Sequence, residues 1–149
     1  MEYCLRKAQQ SDLEFLLDLR EATMGGYIRQ LGMSTSKEAY LSRIFYEFEA
    51  AQIVEVDGIA AGLFKAKYTP ENNEWYLVQI QIHPNYQNNQ LASRLITALI
   101  ERADTTQAHI GLSVLKNNPA QHLYLKLGFV QIDENDHEYI MQRRYSSPH

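Results

Sequence analysis

Cysteine is nearly absent from the sequence: of 149 residues, Cys4 alone carries a thiol. A lone thiol cannot close an internal disulfide, which excludes a stapled secreted scaffold and fits a reducing compartment. Cys4 sits between Tyr3 and Leu5 in an alternating segment, and the expectation is a core or half-buried thiol rather than a nucleophile. Glycine and proline are also scarce, 7 and 4 residues, which excludes collagen-like and low-complexity chains. No apolar run approaches the roughly 18 residues that span a bilayer, and the opening Met1-Glu2-Tyr3-Cys4-Leu5-Arg6 has no basic-then-apolar leader. A cytoplasmic protein with no membrane partner is expected. Positive charge is short as well: 14 Lys and Arg stand against 18 Asp and Glu, a net charge of -4. Binding a phosphate backbone needs concentrated Lys and Arg, so nucleic acid is excluded as the main partner. The tight basic pair Arg143-Arg144 reads as solvated surface. There is no Cys-x-x-Cys, no His-Glu-x-x-His and no metal-spaced carboxylate group, so no metal is expected. Gly-x-Ser-x-Gly and the Walker loop are missing too.

What is present is an ordinary globular composition, 45% hydrophobic and 21% charged. The length suits one domain, expected over 1–145 with a loose tail at 146–149. Residues 3–7 alternate as a strand. Ser11-Asp12-Leu13-Glu14 reads as a capping box opening a helix with Leu13, Leu16, Leu17 and Ala22 at helical spacing, broken by Gly25-Gly26. An irregular piece, 27–34, precedes a cap at 35–38 and a helix striped with Tyr40, Leu41, Ile44, Phe45 and Phe48. Strands follow near 53–56, 60–68 and 75–82, the first two joined at Asp57-Gly58 and the third stopped by His83-Pro84. A helix from about Leu91 carries Leu95, Ile96, Leu99 and Ile100. Then come a strand at 110–115, a helix at 120–127 stopped by Gly128, and strands at 129–132 and 138–141. The order predicts an α/β fold around one sheet.

Two stretches carry chemistry. In the first, Ile80-Gln81-Ile82-His83-Pro84-Asn85-Tyr86-Gln87-Asn88-Asn89-Gln90-Leu91-Ala92-Ser93, a buried strand runs into a polar loop that opens a helix. A helix start offers unpaired N–H groups and a positive dipole end, which suits a phosphate. The second stretch leads from Leu112 through Asn117-Asn118-Pro119-Ala120 to Tyr124-Leu125-Lys126-Leu127-Gly128-Phe129.

Together these segments resemble the acetyl-CoA-binding core of the GNAT acetyltransferase superfamily. The family's loop, Val-x-Pro-x-Tyr-Gln/Arg-Gly-x-Gly-x-Gly/Ala, is matched by Ile82, Pro84, Tyr86, Gln87 and Ala92. Its later signature, Asn-x-x-Ala then Tyr-x-x-Leu-Gly-Phe, is similar to Asn117 through Phe129. The resemblance implies a GNAT-like mixed sheet of about six to seven strands flanked by about four helices. It implies acetyl-CoA as co-substrate and an amine as acceptor. The backbone of Ile80, Gln81 and Ile82 would pair with the pantetheine arm. The amides of Gln87, Asn88, Asn89, Gln90, Leu91, Ala92 and Ser93 would hold the pyrophosphate, and Asn117 or Asn118 would hydrogen-bond the cofactor. Tyr124 would act as general acid for the departing thiolate. Met24, Tyr27 and Gln79 are expected to line the acceptor site.

The sequence departs from the family in two ways. Asn88 and Gln90 stand where the family usually has glycine. Asparagine tolerates left-handed backbone, so Asn88 or Asn89 can keep the loop's shape. Gln90 fits without strain if the helix has already begun there; otherwise affinity for CoA falls. The second departure is the general base: Tyr76, Gln79, Gln81 and Ser113 are not bases at neutral pH, which leaves Glu74, His137 and Glu138, or an amine already deprotonated in bulk water. An acyl-CoA-binding sensor without turnover is the alternative reading. Either a monomer or a homodimer is compatible with the sequence.

Overall fold

Two apolar periods decide the elements, 3.6 where one helical stripe is buried and 2 where one face of a strand is. The computed structural model describes residues 1–146; of the expected tail, 147–149 lie outside the described residues. In chain order the elements are β1 (Cys4–Lys7), α1 (Leu13–Arg20), α2 (Gly26–Gln30), α3 (Lys37–Phe45), β2 (Ala51–Val56), β3 (Ile59–Thr69), β4 (Glu74–Ile82), α4 (Leu91–Thr105), β5 (His109–Leu115), α5 (Ala120–Lys126), β6 (Val130–Glu134) and β7 (Glu138–Arg143). The strands form one mixed sheet in the order β1-β2-β3-β4-β5-β7-β6. β4 and β5 run parallel through the crossover helix α4, while β5 with β7 and β6 with β7 are antiparallel. Among the described residues no helix is long and apolar enough to cross a membrane.

The chain forms two compact units, Met1–Lys65 with Gln79–Ala92, and Ala66–Val78 with the residues from Ser93 onward. In the first, Ala8, Leu16, Leu19, Ile44, Ala51, Ile53 and Leu63 make one buried cluster, each large side chain contributing roughly 2 kcal/mol by leaving water. Lys65 is fully buried beside them, 0% exposed. Its ammonium donates to the carbonyls of Arg43 (3.3 Å), Ile44 (2.9 Å) and Tyr46 (2.5 Å), the carbonyls that α3 leaves unpaired at its C-terminus. In the second unit Ile110, Leu112, Phe129 and Met141 are buried.

Three local expectations are corrected. Cys4 is exposed, because β1 is an edge strand and its side chains are mostly solvated. Ser11 lies inside a 3-10 turn, Gln10–Asp12, and the capping box joins Gln9 and Asp12, whose carboxylate accepts from the Gln9 N–H at 2.8 Å and from Arg6. Gly25-Gly26 do not break the first helix. The helical path continues from α1 through a π turn, Glu21–Gly25, into α2, with both glycines at right-handed helical angles. Glycine costs about 1 kcal/mol in a helix but does not forbid it, and at Gly25 it lets the end of the Glu21 side chain pack close to the backbone. A Cβ there would lie 1.9 Å from a carboxylate oxygen of Glu21.

Candidate active site

The loop between β4 and α4 is held by its own side chains. His83 Nδ1 accepts from the Asn85 N–H (3.1 Å), and Pro84–Tyr86 makes one 3-10 turn. The Gln87 amide donates back to the Ile82 carbonyl at 3.0 Å. Asn88 and Gln90 both have left-handed backbone, φ 69° and 60°. The two positions where glycine was expected therefore take the geometry that favours glycine, without it. The helix begins one residue later, at Leu91, so the possibility that Gln90 is already helical is overturned. Left-handed residues in such a loop can turn backbone N–H groups toward one side, an arrangement that receives anions. Leu91 is buried and anchors the helix start, while Gln87, Asn88, Asn89 and Gln90 are exposed and Ala92 and Ser93 half-buried.

The parallel ladder between β4 and β5 runs from Glu74↔His109 to Leu77↔Leu112, and β4 itself continues to Ile82. Within that continuation Ile80 is half-buried, and Gln81 and Ile82 are buried. β3 comes close here: a Cβ on Gly62 would lie 2.4 Å from the Gln81 carbonyl oxygen. Gln79 is 7% exposed, and neither its amide nitrogen nor its carbonyl oxygen has a hydrogen-bond partner among the described residues. An unpaired buried amide costs about 1–3 kcal/mol per group, which makes Gln79 a polar side chain in want of a ligand or water.

In the second unit, the turn after β5 is tied to α5. Asn118 Oδ1 accepts from the Ala120 N–H at 2.9 Å, and its own N–H donates to the Leu115 carbonyl. Asn118 thus caps the helix, whereas the side-chain oxygen of Asn117 is buried. Three residues past Leu125, Gly128 takes φ 97°. The Phe129 N–H donates to the Tyr124 carbonyl (3.0 Å) and the Gly128 N–H to that of Leu125 (3.1 Å), a Schellman closure. Its hydrophobic contact is the ring of Phe129 against that of Tyr124, with centroids 6.0 Å apart. The Tyr-x-x-Leu-Gly-Phe pattern is therefore a helix stop that also fixes the tyrosine. Tyr124 is 7% exposed, and burial pushes its phenol up to about 12.

The base candidates separate. Glu74 opens β4 while Ile82 closes it, and the Glu74 carboxylate accepts from Gln142 at 2.8 Å. Glu138 pairs with Leu115 across β7 and β5, and the Lys116 N–H donates to the His137 carbonyl, so both residues flank the C-terminal end of β5. The hydroxyls of Tyr76 and Ser113 share a 2.5 Å hydrogen bond, a pairing that alternation along each strand does not reveal. Met24 lies in the π turn and Tyr27 in α2, both half-buried. Beside them Glu21 pairs with Arg29 at 2.8 Å and accepts from the Tyr40 hydroxyl at 3.0 Å.

A family model described as the acetyltransferase (GNAT) family matches residues 3–129. The chain belongs to the GNAT acetyltransferase family. Acetyl-CoA is accordingly its acyl donor, and acyl transfer its general chemistry. Solved structures share the GNAT fold at low identity. The PaiA N-acetyltransferase of Thermoplasma acidophilum, in complex with coenzyme A, is 19% identical with a TM-score of 0.73, covering 97% of this chain and 100% of its own. The ribosomal-protein-S18-alanine N-acetyltransferase of Escherichia coli is 18% identical with a TM-score of 0.70, covering 99% and 97%. Ard1 of Thermoplasma volcanium is 16% identical with a TM-score of 0.73, covering 99% and 100%. A search of curated proteins found no match. The seven-stranded mixed sheet is the one expected of a GNAT chain, and the family match spans both stretches from which the resemblance was read.

Proposed function

We propose that the chain moves an acetyl group from acetyl-CoA directly to an amine nitrogen, with Tyr124 donating a proton to the departing thiolate. The observation that carries this reading is the Tyr124 phenol, buried on a helix end closed by Gly128 and held protonated at neutral pH. The nitrogen attacks the thioester carbonyl, the C–N bond forms and the C–S bond breaks. The sulfur takes the phenolic proton, the amine loses its own to water or to a nearby base, and that proton, returned through solvent, restores the Tyr124 phenol.

The loop supports the other half of the reading. Its left-handed residues, Asn88 and Gln90, leave the N–H groups of 87–93 suited to a pyrophosphate. The backbone of Ile80, Gln81 and Ile82, beyond the end of the ladder with β5, would pair with the pantetheine arm. Because Asn118 serves the helix, Asn117 is the asparagine proposed to reach the cofactor. Met24, Tyr27 and the orphaned amide of Gln79 are proposed for the acceptor side.

A thiol-release assay over a panel of amines tests the proposal. Turnover is expected, and Tyr124→Phe should lower kcat by about 10²-fold or more. Binding of acetyl-CoA with no turnover across the panel would restore the sensor reading.

A further inference from the structure

The arginines of the first unit divide into two kinds. Arg6 is held by Asp12 and Glu55, both at 2.8 Å, and Arg29 by Glu21 at 2.8 Å. Among the described residues, Arg20 and Arg43 have no carboxylate partner. The Nε of Arg20 is buried with no hydrogen-bond partner among the described residues, and its guanidinium stacks over the Tyr40 ring, 5.5 Å from the centroid. Arg43 stacks in the same way over Tyr46, also at 5.5 Å. Lys65, fixed on the carbonyls of Arg43, Ile44 and Tyr46, adds a third positive charge.

The carboxylates nearby are committed elsewhere: Glu21 serves Arg29 and Tyr40, and Glu47 acts on Lys65. None acts on Arg20, whose guanidinium is pushed down to about 10, first by burial and then by Arg43. Arg20, part-buried with its Nε unpartnered and with Arg43 and Lys65 as cationic neighbours, is a charge that burial disfavours without an anion. An anion would relieve it, and a guanidinium fork suits a carboxylate. The position suggests whose carboxylate. Arg20 ends α1, and the next residue starts the π turn that carries Met24, a non-standard turn of the kind found often at functional sites.

We propose that Arg20, with Arg43 beside it, receives the carboxylate of the acceptor, so that the amine substrate is an amino acid or another small amine bearing an acid group. The inference rests on the acyl-transfer reading above and narrows its acceptor.

Steady-state kinetics at saturating acetyl-CoA, with amino acids set against their carboxamides in matched pairs, test the proposal. The acid form should be preferred by roughly tenfold or more in kcat/KM, the scale of one charged hydrogen-bonded contact. Arg20→Gln should collapse the ratio toward one, and Arg43→Gln, at an exposed position, should lower it. A wild-type ratio at or below one, or a ratio unchanged in Arg20→Gln, overturns the proposal. Calorimetric titration with succinate reads the site without turnover. Succinate binding that Arg20→Gln abolishes supports the anion site even where no amine is acetylated, an outcome that sinks only the transferase reading. Acetylation of amines with neither an acid preference nor succinate binding sinks the site and leaves the transferase standing.

Discussion

At the scale of the residue, burial sets the state of Tyr124. Its phenol is pushed up from an ordinary 10.0 to about 12, so the proton it is proposed to donate stays in place over the working range. The kcat/KM should rise with pH as the amine loses its proton, then stay level through pH 10. A pH profile that falls with a midpoint below 10 would move proton donation to another group. The two asparagines differ in a way that spacing alone could not resolve. Asn118 has the backbone of Ala120 as its partner, so Asn118→Ala should cost about 1 kcal/mol of stability, the worth of a helix cap. Asn117→Ala should instead weaken acetyl-CoA binding in a calorimetric titration. The reverse pattern would exchange their roles.

At the scale of the element, the loop between β4 and α4 was legible as a strand–loop–helix junction but not in its backbone. A left-handed asparagine, Asn88 or Asn89, could be expected from residue type, and Asn88 is the one that takes it. A left-handed Gln90 could not, because nothing in the sequence marks Leu91 rather than Gln90 as the first helical residue. A non-glycine residue in that region costs about 1–2 kcal/mol. Gln90→Gly should therefore raise the melting temperature without changing the loop's path, while Gln90→Val should lower it. Thermal melts without ligand read both. The first helix was legible only as far as Gly25-Gly26, because a glycine pair looks like a stop. What Gly25 admits is the close approach of the Glu21 carboxylate, a contact that spacing does not encode.

At the scale of the whole molecule, the strands and most helices follow from local periods and were readable to within a few residues, while α2 falls in the piece expected to be irregular, 27–34. The insertion of β7 between β5 and β6 was not readable, since partner choice in a sheet is non-local. Nor was the burial of Lys65, a charged residue inside an otherwise apolar strand that looks like an exposed position in a hairpin. Its effect is global. Burial lowers its ammonium from 10.5 to about 8, so between those values the unfolded chain binds more protons than the folded one. Stability should then grow as pH rises from about 8 toward 10.5. Denaturant unfolding at pH 7.5, 9 and 10.5 measures this rise, and Lys65→Met should flatten it. An equal slope in the variant would assign the effect elsewhere.

The π turn has a consequence for phase. In an uninterrupted α-helix, Ile28 would point about 120° away from Leu16, at 100° per residue. Absorbing one extra residue at Glu21–Gly25 reduces that angle to about 20°, which is why both side chains are buried although the α-helical count between them is wrong. The turn acts as a one-residue insertion that re-indexes the helix. Deleting one residue from it would leave a regular α-helix in which Ile28 keeps its present direction, whereas straightening the turn with all its residues kept would swing Ile28 about 100° away from Leu16.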